Sequence, residues 1–289
     1  LDVCNAVRCM RPPGPSWVLR TFGVDFVADV EEVDFTGTEM QSDAAEKLSD
    51  DLRYLPCFPR LRALSVSDVR LRDENLLVLE ELPDLSRLSL VSTGITARAM
   101  PFVRGLGALR MLDLTDNDVN SKGVQYVGGL VRLEELYLGS TGIGNSGVRE
   151  LGPLRLLKSL CLDNTAIDDE GVAHLRSLQN LQELSLQNTH VTDAGLQSLS
   201  AMTRLERVDL SGTPITGEGL RYLSQLHNLR ELTLAETATN DRGLSTLPEF
   251  PQLALLDLSN THIGDTGLRY LGRLPRLRSV DLQNTNITD

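Results

Sequence analysis

Aromatic side chains are scarce in this chain, 4% of 289 residues with a single Trp, so its core cannot be built around rings. No apolar run is long enough to cross a membrane, and no signal-peptide pattern is present. Cysteines number four, Cys4, Cys9, Cys57 and Cys161, and they lack the spacing of a disulfide framework or a zinc site. A Cys4–Cys9 bridge stays open as an alternative. Cys161 lies between Leu160 and Leu162, where a free thiol fits a reducing compartment better than an oxidising one, which leans the location toward the cytoplasm. Basic residues are in the minority, 28 against 40 acidic ones, for a net charge of −12. Without a concentrated basic patch, and none is visible along the chain, that balance opposes nucleic acid and anionic membranes as partners.

What the chain does have is a 24-residue period. Leucine opens a unit at 61, 85, 109, 133, 157, 181, 205, 229, 253 and 277 without a slip in register. A longer, more divergent unit over 30–60 precedes them, with Val30, Val33 and Phe35 at the leucine positions. Each unit opens L-x-x-L-x-L-x-x-T, whose alternation around the fourth and sixth positions predicts a short strand buried on one face. The second half, as in Ile215–Leu226, spaces its leucines for one stripe of a short helix, and Thr192, Asp193, Asp241 and Asp265 stand where an N-cap belongs. No unit can cover its own leucines, so neighbouring units must stack with their strands parallel. The expected architecture is an α/β solenoid: a right-handed β-α superhelix with a curved parallel sheet on the concave side and short helices on the convex side. Residues 1–29 lie outside the period, and Trp17, Phe22 and Phe26 there suit a cap over the first unit. The last unit stops before its helix and the first residue is leucine, which reads as an excerpt of a longer chain.

The pattern L-x-x-L-x-L-x-x-T-x-I-T-D-x-G-L-x-x-L resembles the leucine-rich repeat over about residues 30–289, in its ribonuclease-inhibitor-like form. The closest subgroup places Cys or Asn at the ninth position, bonding buried backbone groups. Here Thr93, Thr141, Thr165, Thr189, Thr213, Thr237, Thr261 and Thr285 hold that position, with Val69 and Asn117 as departures, and a hydroxyl can make the same bonds. The resemblance implies a recognition module, since the family includes inhibitors, receptors, ubiquitin-ligase adaptors and GTPase activators.

Catalytic and cofactor signals dissolve into the repeat. Gly142-Ile143-Gly144-Asn145-Ser146-Gly147 matches G-x-G-x-x-G, yet Ile143 and Gly147 share their register with Val191 and Gly195 of a unit without the motif. Asp168, Asp169, Glu170, Asp193, Asp241 and Asp265 could be imagined as cation ligands, but helix starts explain carboxylates there. His190 and His262 share a place in the unit but sit three units apart, roughly 14 Å, too far for one metal ion. We therefore expect no cofactor, no metal and no intrinsic catalysis.

The third, fifth and seventh positions project from the strand face, with the eighth at its rim, and these four are expected to vary freely. They carry many carboxylates, among them Asp113, Asp163, Asp209, Asp257 and Asp281, against only Arg87 and Arg207. Val91, Met111, Tyr137 and Cys161 add an apolar strip across four consecutive units. The expectation is a non-catalytic module that binds a protein or peptide with a basic surface along this face. The alternative is a substrate-recognition or regulatory subunit of a larger assembly, such as a ubiquitin-ligase adaptor or GTPase regulator, whose activity resides elsewhere.

Overall fold

The computed structural model describes residues 30–35 and 52–288. The expected cap over 1–29, Cys4 and Cys9, and residues 36–51 of the divergent unit fall outside the described residues.

Eleven parallel strands form one sheet in strict sequential order. They are β1 (Glu32–Phe35), β2 (Ala63–Ser67), β3 (Arg87–Val91), β4 (Met111–Asp113), β5 (Glu135–Tyr137) and β6 (Ser159–Cys161), then β7 (Glu183–Ser185), β8 (Arg207–Asp209), β9 (Glu231–Thr233), β10 (Leu255–Asp257) and β11 (Ser279–Asp281). Register follows the period: Leu112 stands opposite Leu136, Leu136 opposite Leu160, and Leu160 opposite Leu184. The expected core is in place, with Leu184, Leu186, Val208, Leu210, Leu256 and Leu258 all at 2% exposure or less. Short helices close the other side, α-helical as in Asn145–Glu150 and Asp169–His174, or 3-10 as in Asp73–Glu81 and Glu218–Gln225. Among the described residues no helix is long and apolar enough to cross a membrane.

The threonine row does what its place in the unit predicts. Thr141, Thr165, Thr189, Thr237 and Thr261 each donate their hydroxyl to the carbonyl three residues back, as Thr189 does to Leu186 at 2.7 Å. Asn117 does more. Its Oδ1 accepts from the Thr93 and Ile95 amides at 3.1 and 3.2 Å, while its Nδ2 donates to the Leu90 and Leu114 carbonyls at 2.6 and 3.0 Å, tying two units together.

Two expectations need correction. The eighth position is not free: Asp68, Ser92, Asp116, Ser140, Asn164, Asn188, Glu236, Asn260 and Asn284 have φ between +52° and +60°, and Gly212 has +65°. That left-handed conformation turns the chain out of the strand, and it explains the Asn, Asp and Gly found there. Nor do Asp193, Asp241 and Asp265 cap their own helices. Before Asp241 the cap is Asn240, which accepts from the Arg242 and Gly243 amides; the other two helices start from Gly195 and Gly264, which offer no side-chain cap, and Thr192, also expected as a cap, accepts the Ala194 amide in the turn ahead of its helix. The aspartates instead reach into the next unit. Asp193 accepts the Thr216 amide and hydroxyl at 3.0 and 2.7 Å, Asp265 does the same for Thr288, and Asp241 accepts the Gly264 amide.

This clamp accounts for the glycine two residues after Asn145, Asp169, Asp193, Asp241 and Asp265, though Asp73, which clamps Thr96, is followed by Asn75. A Cβ on Gly195 would lie 2.4 Å from Asp169 Oδ1, and one on Gly171 2.5 Å from Asn145 Oδ1. It also disposes of the glycine motif: the Gly142 amide donates to Val119 O, the Gly144 amide to Ser121 Oγ, and the Gly147 amide to Gly144 O. A phosphate cradle needs amides aimed outward; those of Gly142 and Gly144 are engaged by the neighbouring unit and that of Gly147 by its own turn.

Candidate partner-binding surface

The open face of the sheet is built from the third and fifth positions of each unit. The strand register sets which residues meet on it. Tyr137 of β5 lies directly between Asp113 of β4 and Cys161 of β6. Met111 lies between Arg87 and Glu135, two residues away along its strand, and Val91 pairs with Ser67 at the far end of β3. The four apolar residues are each part-buried, but they form no continuous strip. Tyr137 and Cys161 are the pair that the fold brings together.

Beside that pair the face sinks into a hollow of about 270 Å³ running from β5 to β9. Its floor is Leu160, Leu184 and Val208, and Tyr137, Cys161, Asp209, Arg207, Glu183 and Glu231 stand around it. The hollow exists because Ser159, Ser185 and Thr233 put small side chains at outward positions between larger ones. That run of small residues is the sequence signal of the hollow, interleaved with charged residues that mask it.

The carboxylates of the face are less free than a count of charges suggests. Asp113, Asp209, Asp257 and Asp281 each accept a hydrogen bond from the amide two residues on, at 2.9 Å. The amide needs it where the strand ends: for Thr115, the Leu90 carbonyl that would continue the ladder is taken by Thr93 and Asn117. Asp163 accepts from the Gln187 amide and the Ser185 hydroxyl. Glu32 pairs with Arg87 at 3.2 Å, and Glu183 with Arg207. Within the hollow, Glu183, Asp209 and Glu231 still outnumber Arg207. Asp257 and Asp281 lie directly opposite each other in register, a like-charge pair that disfavours the sheet.

Two groups of the site have displaced protonation equilibria. Burial pushes the Cys161 thiol up to about 12, and its Sγ lies 3.1 Å from Asp163 Oδ2, so it stays a thiol at neutral pH and is no nucleophile. Burial likewise raises the Tyr137 phenol, which donates to Glu135 Oε2 at 3.2 Å. No group of three or more His, Cys, Asp or Glu among the described residues is placed to hold a metal ion.

Folding also creates what the linear sequence hides. The cations that look scattered along the chain collect on the rim where the strands begin, at the second position of a unit and in the turn before it. Arg104, Arg132, Arg155, Lys158, Arg176 and Arg204 all stand there and all are exposed. The basic patch missing from the sequence reading is thus present in the fold, on a surface separate from the acidic face.

A family model for the leucine-rich repeat region matches residues 42–289. No curated protein matches the chain in sequence. Among solved structures, an internalin (inlF) from Listeria monocytogenes str. 4b F2365 is 17% identical, covers 94% of each chain and superposes with a TM-score of 0.55. Internalin C2 (inlC2) from the same strain is 25% identical over 81% of this chain and 83% of its own, with a TM-score of 0.57. TLR13, in a TLR13–ssRNA13 complex, is 24% identical over 81% of this chain and 34% of its own, with a TM-score of 0.59. Given the family match along most of its length and a parallel ladder that keeps register through all its regular units, the chain belongs to the leucine-rich repeat family.

Proposed function

We propose that the chain is a non-catalytic recognition module whose strand face holds a protein or peptide, with a basic and an apolar side chain entering the hollow between β5 and β9. Leucine-rich repeats commonly mediate protein or ligand recognition, and solved relatives of this fold include internalins and TLR13. The observation that carries the proposal is the hollow itself. It offers an apolar floor, a half-buried tyrosine at one wall, and carboxylates around a single guanidinium. Tyr137 can supply contact area at small entropic cost, and Glu183, Asp209 and Glu231 favour a cationic group. With the nucleophile-capable thiol held protonated and the loop amides engaged, the arrangement supports binding rather than bond-making.

Panning a random displayed-peptide library against the protein tests this. Enriched peptides are expected to place Arg or Lys next to an aliphatic or aromatic residue. Their dissociation from Tyr137→Ala should be faster, with a loss of about 2 kcal/mol if the ring anchors the complex. Asp257→Asn with Asp281→Asn should chiefly slow association and flatten its salt dependence, because Asn keeps the amide acceptor and removes only charge. Enriched peptides that bind Tyr137→Ala unchanged would move the site off this face.

A further inference from the structure

The basic rim carries a second, independent feature. Among the described residues four large apolar side chains are exposed: Leu77, Val131, Leu156 and Leu255. Leu77 and Leu255 stand alone, the first on the 3-10 helix Asp73–Glu81 and the second on β10. Val131 and Leu156, 53% and 49% exposed, belong to consecutive units on this one rim.

The repeat shows how close they are. In two other units the last residue is an asparagine that reaches back to the carbonyl of the preceding unit's next-to-last residue: Asn180 to Arg155 at 2.6 Å and Asn228 to Thr203 at 2.9 Å. Leu156 occupies the asparagine's place, and Val131 the place of Arg155 and Thr203. A leucine cannot make that bond. Its side chain is 49% exposed instead, apolar where the repeat elsewhere uses a donor to the preceding unit.

Cations surround this pair. Arg132 and Arg155 adjoin it in sequence, and Arg104 and Arg176 stand on the same rim in the flanking units. Glu134 is already held by Arg110 and by Lys158, the latter at 2.6 Å, and Glu206 by Arg230 at 3.2 Å. Arg104, Arg132 and Arg176 make no ion pair among the described residues. A chain of net charge −12 thus presents a rim on which cations outnumber carboxylates, with an aliphatic centre.

We propose that this rim, centred on Val131 and Leu156, docks an acidic segment of a partner protein that carries aliphatic side chains among its carboxylates. Charge complementarity selects the carboxylates and the exposed pair selects the aliphatic residues. Single-stranded nucleic acid fits less well, since bases stack on aromatic rings, and between Arg104 and Arg204 the second position of the units and the turn before it carry none, Tyr126 being packed against the core. The site is separate from the strand-face hollow, so neither proposal depends on the other.

The probe is a fluorescein-labelled peptide with glutamates flanking two leucines, titrated with the full chain and followed by anisotropy. Saturable binding is expected, weakened at least ~10-fold by Arg132→Glu with Arg155→Glu, and falling with salt. Leu156→Asn should weaken it by about 5-fold while restoring the repeat's own hydrogen bond, so folding is preserved. Should the charge reversals lower the unfolding midpoint, Arg132→Gln, which breaks no bond, replaces them. Tyr137→Ala should leave the peptide's affinity unchanged. Absence of binding, or equal binding to the rim variants, overturns the proposal. So does tighter, rim-dependent binding of polyuridylate or of anionic phospholipid vesicles, or a dimer in sedimentation that the same charge reversals abolish.

Discussion

At the eighth position of each unit the backbone enters the left-handed region, and the residue found there is a compromise between that conformation and the surface. Asn and Gly adopt it readily. Glu236, at φ +59° and exposed, gains nothing visible from its side chain, so Glu236→Asn should stabilise the protein by about 0.5–1 kcal/mol, read as a higher urea midpoint. Glu236→Val should lower it. The ninth position was legible in sequence because threonine recurs there and its hydroxyl has one evident use. The eighth was not, because its Asp and Ser residues read equally well as ordinary side chains facing water; only the dihedral angle separates conformational need from exposure. Cys161 gives a second prediction at this scale. With its thiol at about 12, alkylation by iodoacetamide at pH 8, followed by peptide mass mapping, should be far slower than for an ordinary exposed cysteine. Rapid labelling at neutral pH would show the burial argument to be wrong.

Between elements, the clamp from one unit to the next is the main device that the sequence showed only in part. The recurring T-D-x-G was visible, but capping is the commoner use of such residues, and the reach of Asp193 to Thr216 or Asp169 to Thr192 spans a full period. The glycine is the diagnostic partner. Gly195→Ala puts a Cβ 2.4 Å from Asp169 Oδ1 and 2.9 Å from Val191 Cγ1, and should cost about 2 kcal/mol through overpacking. In an Asp169→Ala background the same change should cost distinctly less, since the carboxylate it strikes is gone; additive losses in chemical denaturation would show that no clamp exists. Asn117 is the stronger tie. Asn117→Leu strands the Thr93 and Ile95 amides and the Leu114 carbonyl, while the Leu90 carbonyl keeps the Thr93 hydroxyl, and should cost about 3 kcal/mol, whereas Asn117→Thr restores the hydroxyl used elsewhere in the row and should cost less.

Across the whole molecule, charge is sorted by the period into faces: carboxylates on the strand face and along the clamp edge, cations on the rim where strands begin. A linear reading sums these to −12 and loses the pattern, because each face samples only one or two positions in every 24. The clamp edge makes the fold sensitive to acid. Asp168 is held below the usual carboxylate range by the Glu170 amide and by Asn145, and Asp265 by the Thr288 hydroxyl and amide. Carboxyls with a lowered folded pKa favour the folded state above the ordinary carboxylate range, and that contribution is lost as pH falls through it. Asp168→Asn should therefore flatten the acid side of a plot of urea midpoint against pH. How far such a local loss spreads depends on the stacking of the units. Each leucine row is covered by its neighbours, as the last unit shows: Leu277, Val280 and Leu282 are only partly buried, where Leu253, Leu256 and Leu258 are fully buried. A solenoid transmits instability through those shared surfaces. Leu210→Asp, in the middle of the array, should accelerate amide exchange in β7 and β9 as well as in β8, and leave β2 the least affected. Faster exchange confined to β8 would mean that units fold independently, against the nearest-neighbour coupling that the common core requires.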